Sequence, residues 1–279
     1  MRLQMLRRTL TALMLAAVGL PAVILGGVFY FLLMGVFLVG GAWEYVRMYR
    51  AVQYEPHEIV TIGGVLVIAT ARFFFAEYAV PLFVLIILLA MAVHLVAFER
   101  GRTQAAVDFG ITVSGIVYLG WIGSYLLDLR SLGGADFGLW WFMLALPLVW
   151  AADTGAYSIG AVYGKHKMAP RLSPKKSWEG YFAGIFTSVL VGAFFSHAFS
   201  SIGLQPLHGL INPIQGAALG LVIGILTPLG DLGESMFKRQ SGLKDSSNVF
   251  PGHGGFLDRI DSWLWGAALG YFIIQYFIL

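Results

Sequence analysis

The chain has no cysteine. Disulfides, thiolate metal ligands and a cysteine nucleophile are therefore excluded. It is also poor in charge: Asp, Glu, Lys and Arg make up 12% of its 279 residues, against about 25% in an ordinary soluble domain. So little polar surface does not solvate a globule of this size. A water-soluble enzyme, a disordered chain and a basic nucleic-acid binder are disfavoured together. The net charge of +3 is small, so its placement matters more than its size. Internal repeats and low-complexity segments are also missing. What is abundant is apolar side chain, at 58%, and this composition predicts an all-α, polytopic transmembrane helical bundle.

A helix crossing the hydrocarbon core needs about 20 mostly apolar residues. Nine segments qualify: about 9–26, 27–46, 58–75, 79–98, 104–127, 139–161, 178–200, 211–234 and 260–278. Residues 10–40 carry no charge, and Gly26-Gly27 is the expected break between the first two spans. The basic start followed by an apolar run resembles a signal peptide. However, the apolar character continues, so it reads as a retained first helix. With nine spans, all Lys and Arg except Arg72 and Arg130 fall on one side. The positive-inside bias then predicts a cytoplasmic N-terminus, in a multi-pass protein of the inner (plasma) membrane.

The two halves differ. Residues 1–140 are hydrophobic helices joined by short loops, and residues 141–279 carry two polar loops on the cytoplasmic side. In the first half, Glu44, Asp108 and Asp128 read as helix caps or partners of nearby arginines, and His94 as a packing residue. With 35 glycines, many of them inside spans, close helix–helix approach is expected. In the second half, charge at membrane depth points to function. Asp153 lies inside the sixth span; Asp231 and Glu234 end the eighth; Asp258 and Asp261 begin the ninth. The last two pairs have i,i+3 spacing and each shares a helix face. Pro228 and Gly230 loosen the eighth helix where its acids appear. Such carboxylates suit a hard cation such as Mg²⁺, which shares substrate phosphates. Zinc is disfavoured without cysteine and with few histidines near the acids.

The loop after the sixth span concentrates cations, with Lys165, Lys167, Arg171, Lys175 and Lys176 near Ser173 and Ser177. This suits a phosphate chain at a helix start. It equally suits a topology-setting loop that binds anionic lipid. Glu179 fits a capping box there. Further on, Gly252, Gly254 and Gly255 flank His253 and lead into Asp258. Glycines admit an anion close to backbone N–H groups, while the carboxylates call for a cation. A metal–nucleotide complex satisfies both.

Residues 235–261 resemble the signature of the CDP-diacylglycerol synthase (phosphatidate cytidylyltransferase) family. They run Ser235-Met-Phe-Lys238-Arg239, then Lys244-Asp245, then Pro251-Gly-His253-Gly254-Gly255-Phe-Leu-Asp258-Arg259-Ile-Asp261. The segments Asp153–Tyr157 and Ser173–Gly180 are similar to family segments in the same order; the N-terminal half is similar only in being helical and hydrophobic. The resemblance implies the reaction CTP + phosphatidate → CDP-diacylglycerol + pyrophosphate, with Mg²⁺, room for a second cation such as K⁺, and a homodimer. By carry-over, Asp231 and Asp258 are first-rank metal ligands and Asp261 a second-rank one. The catalytic set comprises Asp258, Asp231, Lys175, Lys176 and His253, the last as a loop-orienting or phosphate-bonding group. Ser173, Lys175, Lys176, Glu179, Lys238, Arg239, Lys244, Gly254 and Gly255 fall on the nucleotide side. The nucleophile, a lipid phosphate oxygen, is already ionised, so electrostatics and positioning rather than a strong base must do the chemistry. Two rivals are a CTP-dependent polyprenol-type lipid kinase, which would release CDP, and an ion-coupled transporter, which would place its acids at mid-membrane.

Overall fold

The computed structural model describes residues 2–201 and 209–279, with side chains from Thr9 onward. Of the basic residues that set the predicted orientation, Arg2, Arg7 and Arg8 have side chains outside this described set. The chain is overwhelmingly helical: α1 Arg2–Leu25, α2 Gly27–Arg50, α3 Glu58–Phe74, α4 Ala79–Glu99, α5 Ala105–Gly115, α6 Tyr125–Ser131, α7 Ala135–Tyr163, α8 Trp178–Ser201, α9 Pro213–Leu226, α10 Pro228–Gln240 and α11 Leu257–Ile273. A π-helical stretch, Ile116–Ile122, leads from α5 towards α6, and another, Ile274–Ile278, extends α11. Among the described residues, six helical stretches are long and apolar enough to cross a membrane: Gly27–Arg50, Ala76–Glu99, Ala105–Ser131, Ala135–Tyr163, Trp178–Ser201 and Pro213–Gln240. The helices α1, α3 and α11 coincide with the other predicted spans, but their apolar stretches are shorter. The break between α1 and α2 falls at Gly26-Gly27, where both residues have positive φ, 63° and 53°. Glycine adopts that region without steric cost.

Two compact units divide the described chain. One holds the residues up to Asp128 together with Phe237–Ile260; the other holds Leu129–Met236 with Asp261–Leu279. The segment most like the family signature thus packs largely with the N-terminal helices.

In the first unit, Val60, Ile68, Ile86, Ala90 and Ile116 form a buried cluster, with Phe83, Phe109 and Trp121 packed on it. Helix α4 buries only Ala79, Ile86, Ala90 and His94, while Val84, Leu85, Leu88, Leu89 and Leu95 are exposed. A helix apolar all round with one narrow buried stripe is suited to lipid contact. Buried charges find local partners, as a low-dielectric interior requires. Asp108 accepts from Arg102 Nε at 2.7 Å and from the Glu55 N–H at 2.8 Å. Asp128 pairs with Arg72, whose guanidinium lies 4.1 Å from the Tyr125 ring centroid and 4.8 Å from that of Trp121. His94 donates from Nδ1 to the Ala90 carbonyl at 2.7 Å. These three residues have the pairing and packing roles expected of them.

In the second unit, α8 packs through a stripe of small residues one turn apart: Gly180, Gly184, Ser188, Gly192 and Ser196 are all buried. The fit leaves no room for larger groups. A Cβ on Gly184 would lie 2.6 Å from the Ala152 carbonyl oxygen on α7, and one on Gly220 would lie 2.3 Å from the Ser188 carbonyl oxygen. This is the close approach that glycine-rich membrane helices permit.

Two local features differ from the sequence expectation. The eighth span is two helices, α9 and α10, meeting at Thr227–Pro228. Proline lacks an N–H, so the hydrogen-bond ladder restarts there. Asp231 consequently lies in the first turn of α10, where a negative charge is favoured, and not near a helix C-terminus. The basic loop after α7 is an antiparallel hairpin: β1 (Lys167–Ala169) pairs with β2 (Ser173–Ser177) in the register Lys167↔Ser177 and Ala169↔Ser173.

Candidate active site

The second unit contains a cleft of about 500 Å³. Helix α7 contributes Asp153 and Tyr157, the hairpin contributes Lys167, Lys175 and Lys176, and α10 contributes Pro228 and Asp231. Ala152, Ala156, Gly160, Gly180, Gly184 and Gly224 also line it, so the small residues that let α7, α8 and α9 approach also keep it open. The hairpin register explains the lysines. Ser177, buried at the end of β2, accepts the Gly180 N–H at 3.3 Å and anchors the strand to the start of α8. Lys176 then reaches across, with Nζ 2.6 Å from Asp231 Oδ2 and 3.3 Å from the Pro228 carbonyl. Lys175 is exposed at the cleft.

Asp231 also belongs to a carboxylate group. One oxygen each from Asp231, Glu234 and Asp261 lies within 4.8 Å of the other two. Gly230 allows this meeting: a Cβ there would lie 2.7 Å from both the Asp261 carbonyl oxygen and Trp265 Cδ1, so α10 and α11 cross in near contact. Glu234 is buried, and the two aspartates are half-buried. Three carboxylates from two helices, in a chain without cysteine, form an all-oxygen donor set that fits a hard divalent cation.

Asp258 lies in the first unit, ahead of the predicted ninth span. Its Oδ1 accepts from Lys238 Nζ at 2.7 Å. Its Oδ2 accepts from the Ser246 N–H at 2.9 Å, the Ser246 hydroxyl at 2.6 Å and the Gly255 N–H at 2.8 Å. Burial pushes the Asp258 pKa up, but the Gly255 N–H, Lys238 and Ser246 outweigh it and hold the group at about 2. Gly254, at φ +78°, lies against this carboxylate; a Cβ would sit 2.4 Å from Asp258 Oδ2.

The other predicted residues are more peripheral. Half-buried His253 lies in a tight turn, its N–H donating to the Phe250 carbonyl at 2.8 Å. Arg239 and Lys244 are exposed, and Arg239 donates to the Leu243 carbonyl at 3.1 Å. Ser173 begins β2, half-buried. Glu179 makes no capping box; it accepts from His166, at 2.6 Å from Nδ1 and 3.2 Å from the backbone N. Sequence reasoning did not rank Glu234 as a ligand, although its i,i+3 spacing from Asp231 was the available signal.

The second unit thus brings together membrane-length helices, a lysine-bearing hairpin and a carboxylate group. The chain belongs to the cytidylyltransferase family, which it matches over residues 6–277. It is 36% identical over 265 residues to the phosphatidate cytidylyltransferase of Pseudomonas aeruginosa, with 92% of each chain covered. It is 32% identical over 295 aligned positions to that of Synechocystis sp., covering 96% of each. A shorter match to the Haemophilus influenzae enzyme is 44% identical over 144 residues, 51% of this chain and 47% of that relative.

Proposed function

We infer that this chain joins the cytidylyl group of CTP to phosphatidate. A phosphate oxygen of the lipid attacks the α-phosphorus of CTP, the bond to the β-phosphate oxygen breaks, and CDP-diacylglycerol and pyrophosphate leave. Family membership supports this reading, and so does the phosphatidate cytidylyltransferase name shared by relatives that align along nearly the whole chain. The observation that carries it in the structure is the Lys176–Asp231 contact, which joins the lysine-bearing hairpin to the carboxylate group.

Each residue then has a defined task. Lys175 and Lys176 offset the charge of the nucleotide phosphates. Asp231, Glu234 and Asp261 would hold Mg²⁺, which, when bound, supplies charge neutralisation between two polyanions. Asp258 remains a candidate ligand; its Lys238 partner marks a position for which a cation competes. The lipid phosphate is already ionised, so no residue need remove a proton from it.

The finer topology belongs to the same proposal. Nine spans, a cytoplasmic N-terminus and a site facing the cytoplasm of the inner membrane are supported by the one-sided distribution of Lys and Arg. A second cation such as K⁺ and a homodimer rest on the family resemblance. The test of the reaction uses purified chain, phosphatidate and CTP labelled at the α- or γ-phosphate. The reading expects α-label in CDP-diacylglycerol and γ-label in pyrophosphate, with both dependent on Mg²⁺. γ-Label in lipid together with free CDP would overturn it in favour of a kinase.

A further inference from the structure

Glu44 lies in α2 and is 0% exposed. A buried carboxylate is costly unless hydrogen bonds compensate it, and all of its identified donors come from the signature segment. Phe256 and Leu257 N–H groups donate to it at 2.9 Å each. The hydroxyls of Ser246 and Ser247 lie 2.8 and 2.5 Å away. The two backbone donors belong to the start of α11, where N–H groups lack intrahelical partners and a negative charge is favoured. Glu44 thus caps a helix that begins more than 200 residues later in the chain.

The surrounding packing is built around this contact. A Cβ on Gly255 would lie 2.1 Å from Glu44 Oε1 and 2.3 Å from Ser246 Oγ, so glycine leaves the carboxylate its place and a larger residue would push it aside. Ser246 lies between both acids: its N–H donates to Asp258 Oδ2, and its hydroxyl, with a single proton to give, is within reach of both carboxylates. One turn before Glu44, Gly40 makes room for the Phe256 ring; a Cβ would lie 2.5 Å from it. Phe37 meets the same ring edge-on at 5.6 Å. Phe37, Gly40 and Glu44 therefore form one receiving face on α2.

We propose that Glu44 is a positioning residue for the metal-handling acids: it fixes the N-terminal turn of α11, the helix that carries Asp258 and Asp261. This rests on the reading of those acids given above. Outer groups that orient metal ligands are typically worth 10–100-fold in metal affinity or activity.

The experiment compares wild-type full-length chain with Glu44→Gln, which keeps the shape but replaces an acceptor oxygen with a donor. Gly255→Ala, whose methyl group would displace the carboxylate, serves as the second variant. Folding is certified by monodispersity and melting temperature. Three quantities are then read: Mn²⁺ affinity without substrate by electron paramagnetic resonance, amide exchange at Phe256 and Leu257, and kinetics. The expected result is roughly tenfold weaker Mn²⁺ binding and a roughly tenfold lower kcat, with the KM for phosphatidate unchanged. Faster exchange at both amides should accompany it. A folded Glu44→Gln protein with wild-type Mn²⁺ affinity and exchange would overturn the proposal. If Glu44→Gln does not fold, Gly255→Ala decides by the same criteria. Failure of the wild-type chain to make CDP-diacylglycerol would instead overturn the functional reading, leaving the Mn²⁺ and exchange measurements to judge Glu44.

Discussion

At the scale of single residues, the candidate acids of each unit lie among opposite charges, and each has a distinct environment. Asp231 is shared between Lys176 and the carboxylate group, whereas Asp258 is held by Lys238, Ser246 and Gly255. Removing a group that stabilises charge in the transition state typically costs about 100-fold or more in kcat. Asp261→Asn should therefore lower the rate by about that factor in a folded protein, and rates measured over a Mg²⁺ series should show a raised half-saturation. Lys175, exposed at the cleft, should act mainly on nucleotide binding. Lys175→Ala is expected to raise the KM for CTP with a smaller change in kcat, which steady-state kinetics at saturating phosphatidate will resolve. These residues were legible in the sequence because acids and lysines are conspicuous in an apolar chain. Glu44 was legible only as a cap or ion-pair partner. No local pattern ties it to a loop 200 residues away.

At the scale of elements, glycine and proline decide how helices meet and where they restart. The small stripe on α8 lets α7 and α9 approach it closely, which keeps the cleft wall smooth. Gly184→Val would force a side chain against the Ala152 carbonyl. Overpacking of this kind typically costs about 1–3 kcal/mol, so a clear fall in melting temperature in detergent is expected. An equal melting temperature would mean that α7 and α8 can separate without penalty. Pro228 has a second consequence. By restarting the helix it places Asp231 in a first turn, so the backbone favours its charge. The proline was visible in the sequence, but that the ladder restarts there as a new helix was not. The β1–β2 hairpin was likewise hidden, because five basic residues with two prolines read as an irregular loop.

At the scale of the whole molecule, the chain is a membrane protein whose orientation can be tested directly, since it has no native cysteine to remove. Arg171, between β1 and β2, and Ala135, at the start of α7, are both exposed, and the predicted topology puts them on opposite sides. In intact cells, an impermeant maleimide should label Ala135→Cys and should reach Arg171→Cys only after the membrane is opened. The reverse pattern would invert the topology. The unit boundaries also carry information: Phe237–Ile260 groups with the N-terminal helices and the remainder of α11 with the second unit. A division of the chain by sequence order alone does not anticipate this.

Sequence alone determined the helical membrane class, the course of most helices and the residues that are candidates for the chemistry. Hydropathy, charge and spaced acids are local properties, and membrane physics leaves few ways to satisfy them. Only the tertiary structure decided which acids share one group, which carboxylate Gly255 makes room for, and that α2 caps α11. Those facts depend on contacts between residues far apart in the chain, where the close approach of backbones and the pairing of buried charge are set by three-dimensional packing.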